Sequence, residues 1–168
     1  MNIRAVETED LPVLQEIERA AGRCFAEVGM SEVAEDAPPS IEELSNRRVA
    51  GLAWAAVDDA GLPVAYLIAA LVDGHLHVEQ VSVHPRGARQ GIGRRLLEHA
   101  AGEARARGLV AMTLTTFADV PWNAPYYSRF GFRVLDESEI TPGMRAIRQK
   151  EESLGFGRWP RVCMRREL

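Results

Sequence analysis

The stretch VSVHPRGARQGIGRRLLEHA, Val81 to Ala100, gathers backbone freedom and positive charge at one junction. An alternating apolar strand runs into Pro85, arginines flank Gly91 and Gly93, and a helical pattern follows. Three readings compete for it: a glycine-rich turn with solvated arginines, a nucleotide loop, and a pyrophosphate cradle at a helix N-terminus. The nucleotide loop fits poorly. G-x-G-x-x-G needs a glycine where Leu96 stands, and a Walker loop needs G-K-[ST], whereas the chain's one lysine is Lys150. The cradle has a physical basis. First-turn amides point outward and the helix dipole adds partial positive charge. Glycines at 91 and 93 let a phosphate approach the backbone, and Arg89 and Arg94 could add charge-assisted hydrogen bonds. Arg86 and Arg95 read as solvated. On these residues alone, turn and ligand site stay equally open.

The elements around the junction follow from periodicity. Ile3–Val6 reads as a first strand, and apolar residues from Leu11 to Phe25 recur at helical spacing. Residues 32–40, EVAEDAPPS, break the order, and Ser40 with Glu43 reads as a capping box for a short helix. Three strands follow, GLAWAAVDD, LPVAYLIAALV and HLHVEQVSV, the last two joined by Asp73-Gly74, a type I′ hairpin signal. In HLHVEQVSV, a period of two places His75, His77, Glu79, Val81 and Val83 on one face. Ile92, Leu96, Leu97, Ala100, Ala101 and Ala104 form one helical face that Gly108 ends. LVAMTLTTF is a strand, PWNAPYYSRFGF a short helix ended by Gly131, FRVL a strand, and TPGMRAIRQKEESLG a helix before a last strand near Val162–Arg165. The expected fold is α/β, a mixed central sheet of about seven strands with helices on both faces. The strands at Val78 and Phe117, joined through a helix, are expected to run parallel.

Bulk properties exclude several classes. A chain of 168 residues suits one domain with one core. A net charge of −4 and a pI near 5.6 argue against nucleic acid as the main partner. Cys24 and Cys163 form no C-x-x-C pair, so no metal or redox motif is expected, and Cys163 reads as core. The start MNIRAVETED has no apolar signal region, and Val64–Val72 is too short to span a bilayer, so the expectation is a cytoplasmic protein without a membrane partner. Arginine outnumbers lysine nineteen to one, a usage that hints at a GC-rich bacterial genome. Trp54, Trp122 and Trp159 read as core more than cleft, and the arginines of RWPRVCMRREL as a solvated face.

The segment Ala88-Arg89-Gln90-Gly91-Ile92-Gly93 resembles the cofactor motif Q/R-x-x-G-x-G/A of the GNAT superfamily of N-acetyltransferases, with Ala88 in place of the Gln or Arg. NAPYYSRFGF is similar to the family's later motif, a tyrosine four residues before Gly-Phe, here Tyr127 before Gly131-Phe132. The element order agrees over residues 2 to about 135. The resemblance implies a GNAT-like single domain over 1–168, with a variable segment 136–160 near the acceptor. It implies acetyl-CoA as cosubstrate, no metal, and direct attack by a primary amine in a ternary complex.

The resemblance also implies roles. Ala88, Arg89, Gln90, Gly91, Ile92, Gly93 and Arg94 would hold the pyrophosphate. Val81, Ser82 and Val83 would follow the acetyl-pantetheine arm, with the Val81 amide as oxyanion donor. The base would come from the preceding strand, Glu79 first and His77 second, while His84 reads as structural. Tyr127 would protonate the departing thiolate, since a phenol already carries its proton at neutral pH. Asn123 either caps the short helix or bonds the pantetheine arm. The acceptor would be a small-molecule or peptide amine, and self-association is common in the family, so a homodimer stays open. The alternative is a non-catalytic acyl-CoA-binding or sensing module of the same fold.

Overall fold

Tight turns set the register of the chain in the computed structural model, which describes residues 1–155 and 159–168. The strands are β1 (Asn2–Ala5), β2 (Ala53–Val57), β3 (Pro63–Val72), β4 (His75–Val83), β5 (Ala111–Phe117), β6 (Arg133–Val134) and β7 (Arg161–Glu167). The helices are α1 (Leu11–Gly22), α2 (Ser31–Ala34), α3 (Ile41–Val49), α4 (Ile92–Ala106), α5 (Ala124–Ser128) and α6 (Pro142–Ser153). The strands form one mixed sheet in the order β1-β2-β3-β4-β5-β7-β6. Asp73 and Gly74 have φ of 52° and 77°, the two positive values that a type I′ turn demands. The expected parallel pair is β4 with β5, through Leu76↔Met112 and His77↔Thr113. No helix among the described residues is long and apolar enough to cross a membrane.

The chain divides into two compact units, Met1–Ala70 with Glu79–Ala100, and Leu71–Val78 with Ala101–Leu168. In the first, Leu14 and Ile17 of α1, Leu44 of α3 and inward residues of β2 and β3 close a core that includes Tyr66. Ser40 caps α3 by accepting from the Glu43 amide at 3.0 Å. The first helix stops at Gly22 rather than running to Phe25. The chain tightens into a 3-10 segment, Arg23–Val28, until Gly29 adopts φ 77°, and only then does the short α2 form. This leaves Cys24 and Phe25 partly exposed.

Arg4 and Asp10 tie the first strand to the start of α1. Arg4 donates twice to the Asp10 carboxylate, at 2.6 and 3.1 Å, and the Glu7 amide adds a third bond at 2.8 Å. Burial pushes the Asp10 carboxyl up, but Arg4 and the Glu7 amide together hold it below its ordinary value.

In the second unit, β7 returns antiparallel to β5 over Ala111↔Glu167 to Phe117↔Arg161 and carries β6 on its other edge. Cys163 is 1% exposed and packs with Leu135 and Met144, as a core cysteine should. The C-terminal arginines are not a solvated face. Arg161 pairs with Glu151 of α6 and lies 4.4 Å from the Phe117 ring, with its side chain only 15% exposed. Arg165 pairs with Glu167 at 2.6 Å. Arg161 finds its partner because α6 brings Glu151 to β7, and Arg165 finds Glu167 two residues along the same strand. Arg158, which belongs to the same run, and the end of the 136–160 segment at 156–158 lie outside the described residues. Of the tryptophans, Trp54 is 4% exposed and Trp122 36%, while Trp159 is partly exposed and edge-on to Phe117, so only the first is core.

The lowered carboxyl of Asp10 stabilises the fold above its unfolded value and ceases to do so as pH falls through the folded one. Asp10→Asn is therefore expected to cost about 1–3 kcal/mol at pH 7 in urea unfolding. The difference from the parent protein should shrink below about pH 4. An equal loss at pH 3 and pH 7 would contradict this role.

Candidate functional site

The junction after β4 is built by four local devices. His84 Nδ1 accepts from the Arg86 amide at 3.1 Å and caps the 3-10 turn Pro85–Gly87. Gly87 is buried, and a Cβ there would stand 3.1 Å from Ile92 Cδ1 and 3.5 Å from Val83 Cγ1. Its lack of a side chain lets Ile92 pack against the strand end. Arg89 and Gly91 then both turn left-handed, at φ 63° and 71°. A Cβ on Gly91 would meet nothing within 4 Å, so its backbone angle, not crowding, calls for glycine.

The Gly91 carbonyl accepts from the Arg95 amide at 3.1 Å, which makes Gly91 the N-cap of α4. The amides of Ile92 and Gly93 consequently lie in the first turn, where the helix offers them no acceptor. Ile92 is 2% exposed and anchors the turn, while Ala88, Arg89, Gln90 and Arg94 are exposed around it. Arg86 and Arg95, expected to be solvated, are bound to the protein. Arg86 donates to the Pro63 carbonyl at 2.9 Å, and Arg95 to the Met1 carbonyl at 2.8 Å.

Two carboxylates lie at β4 within the same unit, Glu79 of the strand itself and Glu18 of α1. Both oxygens of Glu79 accept from Arg47 at the end of α3, Oε1 from Nε and Oε2 from Nη2 at 3.1 Å. That bond raises the Arg47 guanidinium further above neutrality against the opposing effect of burial. Glu18 of α1 accepts on one oxygen, Oε2, from the Ser82 hydroxyl and from the Tyr66 phenol at 3.2 Å. Burial first, and then the Glu18 charge, push the Tyr66 phenol well above its ordinary value.

Strict alternation would turn residues 79 and 82 to opposite faces of β4. Yet Ser82 joins Tyr66 and α1, while Glu79 reaches α3, and α1 and α3 share one core. At the end of the strand the His84 amide donates to the Val64 carbonyl at 2.9 Å, one residue beyond the partner that the two-residue turn alone would give.

The other unit holds His77, Asn123 and Tyr127. His77 is 3% exposed, and its Nδ1 lies 2.8 Å from Thr113 Oγ1 across the parallel pair. Tyr127 is half-buried on α5, with its ring edge-on to Phe132 at 5.9 Å and to Tyr126 at 5.4 Å. Asn123 stands at the N-cap position, and its carbonyl accepts from the Tyr127 amide at 3.0 Å. Its side chain does not cap, however. Oδ1 accepts from Thr116 Oγ1 at 2.8 Å, which turns the amide nitrogen away from Thr116. Sequence reasoning missed Glu18, Arg47, Tyr66 and Gly87. Gly87 carried a signal, a third glycine in the loop; the others are brought to β4 from distant elements.

Residues 14–132 match the sequence model of the "Acetyltransferase (GNAT) family". Solved structures share the fold. A PaiA N-acetyltransferase from Thermoplasma acidophilum in complex with coenzyme A superposes with a TM-score of 0.69 at 19% identity, covering 99% of this chain and 98% of that one. An N-acetylglutamate synthase from Neisseria gonorrhoeae, complexed with coenzyme A and N-acetyl-glutamate, gives 0.72 at 21% identity, covering 99% of this chain and 35% of that one. The ribosomal-protein-S18-alanine N-acetyltransferase from Escherichia coli gives 0.66 at 23% identity over 99% and 92%.

Because Gly91 is held left-handed in open space, Gly91→Ala is expected to lower stability by about 1 kcal/mol through backbone strain alone. Denaturant titration of both proteins reads this, and an unchanged midpoint would show that the loop does not enforce the angle.

Proposed function

As the chain belongs to the acetyltransferase (GNAT) family, we propose that it moves the acetyl group of acetyl-CoA to a primary amine by direct attack. The observation that carries this is the left-handed turn at Arg89 and Gly91, which opens the first-turn amides of α4 to an anion. Ala88 to Arg94 fit a pyrophosphate there: backbone donors from Ile92 and Gly93, with the exposed guanidinium of Arg89 and that of Arg94 at the rim. Val81, Ser82 and Val83 lead the strand into this loop and are assigned to the arm, with the Val81 amide as donor to the carbonyl oxygen as charge develops on it. The Asn123 amide nitrogen, turned away from Thr116, is assigned as a further donor for the arm.

Acetyl-CoA supplies an activated acyl group and a thiolate leaving group. An aliphatic amine arrives as an ammonium ion, with a pKa of roughly 10, and must lose a proton before its lone pair can attack. Glu79 is assigned as the base, directly or through water, with Arg47 fixing its position. The nitrogen forms a bond to the acetyl carbon and the carbon–sulfur bond breaks. Tyr127 gives a proton to the sulfur, and the nitrogen releases its second proton as the amide forms. The balance is one ammonium and one thioester in, one amide, one thiol and one proton out. His77, buried against Thr113, is better suited to holding the strand pair than to meeting an acceptor.

Incubation with acetyl-CoA and a panel of primary amines, amino acids and short peptides should release free CoA, and calorimetry should detect CoA binding. Absence of CoA binding would end this reading, and binding without turnover across the panel would favour an acyl-CoA sensor. Tyr127→Phe is expected to lower kcat about 100-fold while CoA affinity stays within about twofold. An unchanged kcat would remove Tyr127 from the role of acid.

A further inference from the structure

Glu18 is a carboxylate that the reaction described above does not use. Its Oε2 accepts from two neutral hydroxyls, Ser82 and Tyr66, and both donors are buried, at 5% and 0% exposure. Gln80 lies 3.4 Å from the Ser82 hydroxyl and extends the same polar group. Glu18 itself is only half-buried, and among the described residues its Oε1 has no bond and no cation pairs with it. Glu79 differs sharply, since Arg47 occupies both of its oxygens. Hydroxyls orient a carboxylate without neutralising its charge, so Glu18 of α1 keeps a field for a cation.

We infer that Glu18, aimed by Tyr66 and Ser82, binds a second cationic group on the acceptor and so selects amines that carry another positive charge. This rests on the acetyltransfer reading, because it takes the strand around Ser82 as the place where the acyl arm lies. With Glu79 assigned to the reacting nitrogen, a separate carboxylate is left for a separate charge. The ordinary alternative is that Glu18 merely ties α1 to the sheet. Glu18→Gln keeps its shape and an acceptor oxygen but removes the charge, so it separates the two.

The test compares the α,ω-diamines from 1,3-diaminopropane to 1,6-diaminohexane with the monoamines of equal length, each with acetyl-CoA. The parent protein is expected to favour one or more diamines in kcat/KM by at least about tenfold, and Glu18→Gln to lose that preference through KM. Its rates on monoamines, its KM for acetyl-CoA and its melting temperature should stay at parental values. A parent protein with no diamine preference, or turning over neither series, overturns the inference. So does a variant that keeps the preference, or one that loses monoamine activity and stability to the same degree. CoA release with any other member of the amine panel leaves the acetyltransfer reading standing in each of those cases, whereas failure to bind CoA removes both.

Discussion

A backbone amide that is to hold an anion cannot also be bonded inside the protein, and buried amides without partners are costly. The first turn of α4 resolves this conflict because its amides have no acceptor within the helix while the Ile92 side chain anchors the turn. Gly91 closes the helix with its carbonyl and leaves Ile92 and Gly93 without an intrahelical acceptor. Ile92 is buried against a wall that exists because Gly87 has no side chain. His84 braces the 3-10 turn in front of it, and Arg86 and Arg95 lash the loop to β3 and to the chain's first residue. His84, Arg86, Gly87 and Arg95 thus fix the loop that leads into α4.

Strand β4 solves a second conflict. It must remain in register with β3 near the turn, yet its far half must serve two helices that lie over one face. Glu79 reaches Arg47 while Ser82 reaches Glu18 and Tyr66. The two acids then differ in environment although both belong to the same small region. One is compensated by a guanidinium fork and the other only by hydroxyls. Electrostatic character here depends on the partner more than on the residue type.

Elements with long uniform periodicity were readable from the chain. The buried face of α4, Ile92, Leu96, Leu97, Ala100, Ala101 and Ala104, is the face its spacing indicates. The Asp73-Gly74 turn has the two positive φ values its residue types favour. Where a local signal met tertiary packing, packing prevailed. The first helix yields at Gly22 to a 3-10 segment, Asn123 stands at a cap position but bonds Thr116, and the C-terminal arginines that look solvated are paired.

The sequence by itself determined the order of strands and helices apart from the short α2, the hairpin turn, and the glycine loop with its family, because these depend on neighbours within a few residues. Only the tertiary structure decided that Gly87 is a packing glycine, that Glu79 is tied to Arg47, and that Glu18 lies under Ser82. Those contacts join residues 32 and 64 positions apart in the chain. Period-two reading also assumes an unbroken ladder. The identities of Glu18 and Glu79 are written in the sequence, but the partner each carboxylate finds is a property of the fold.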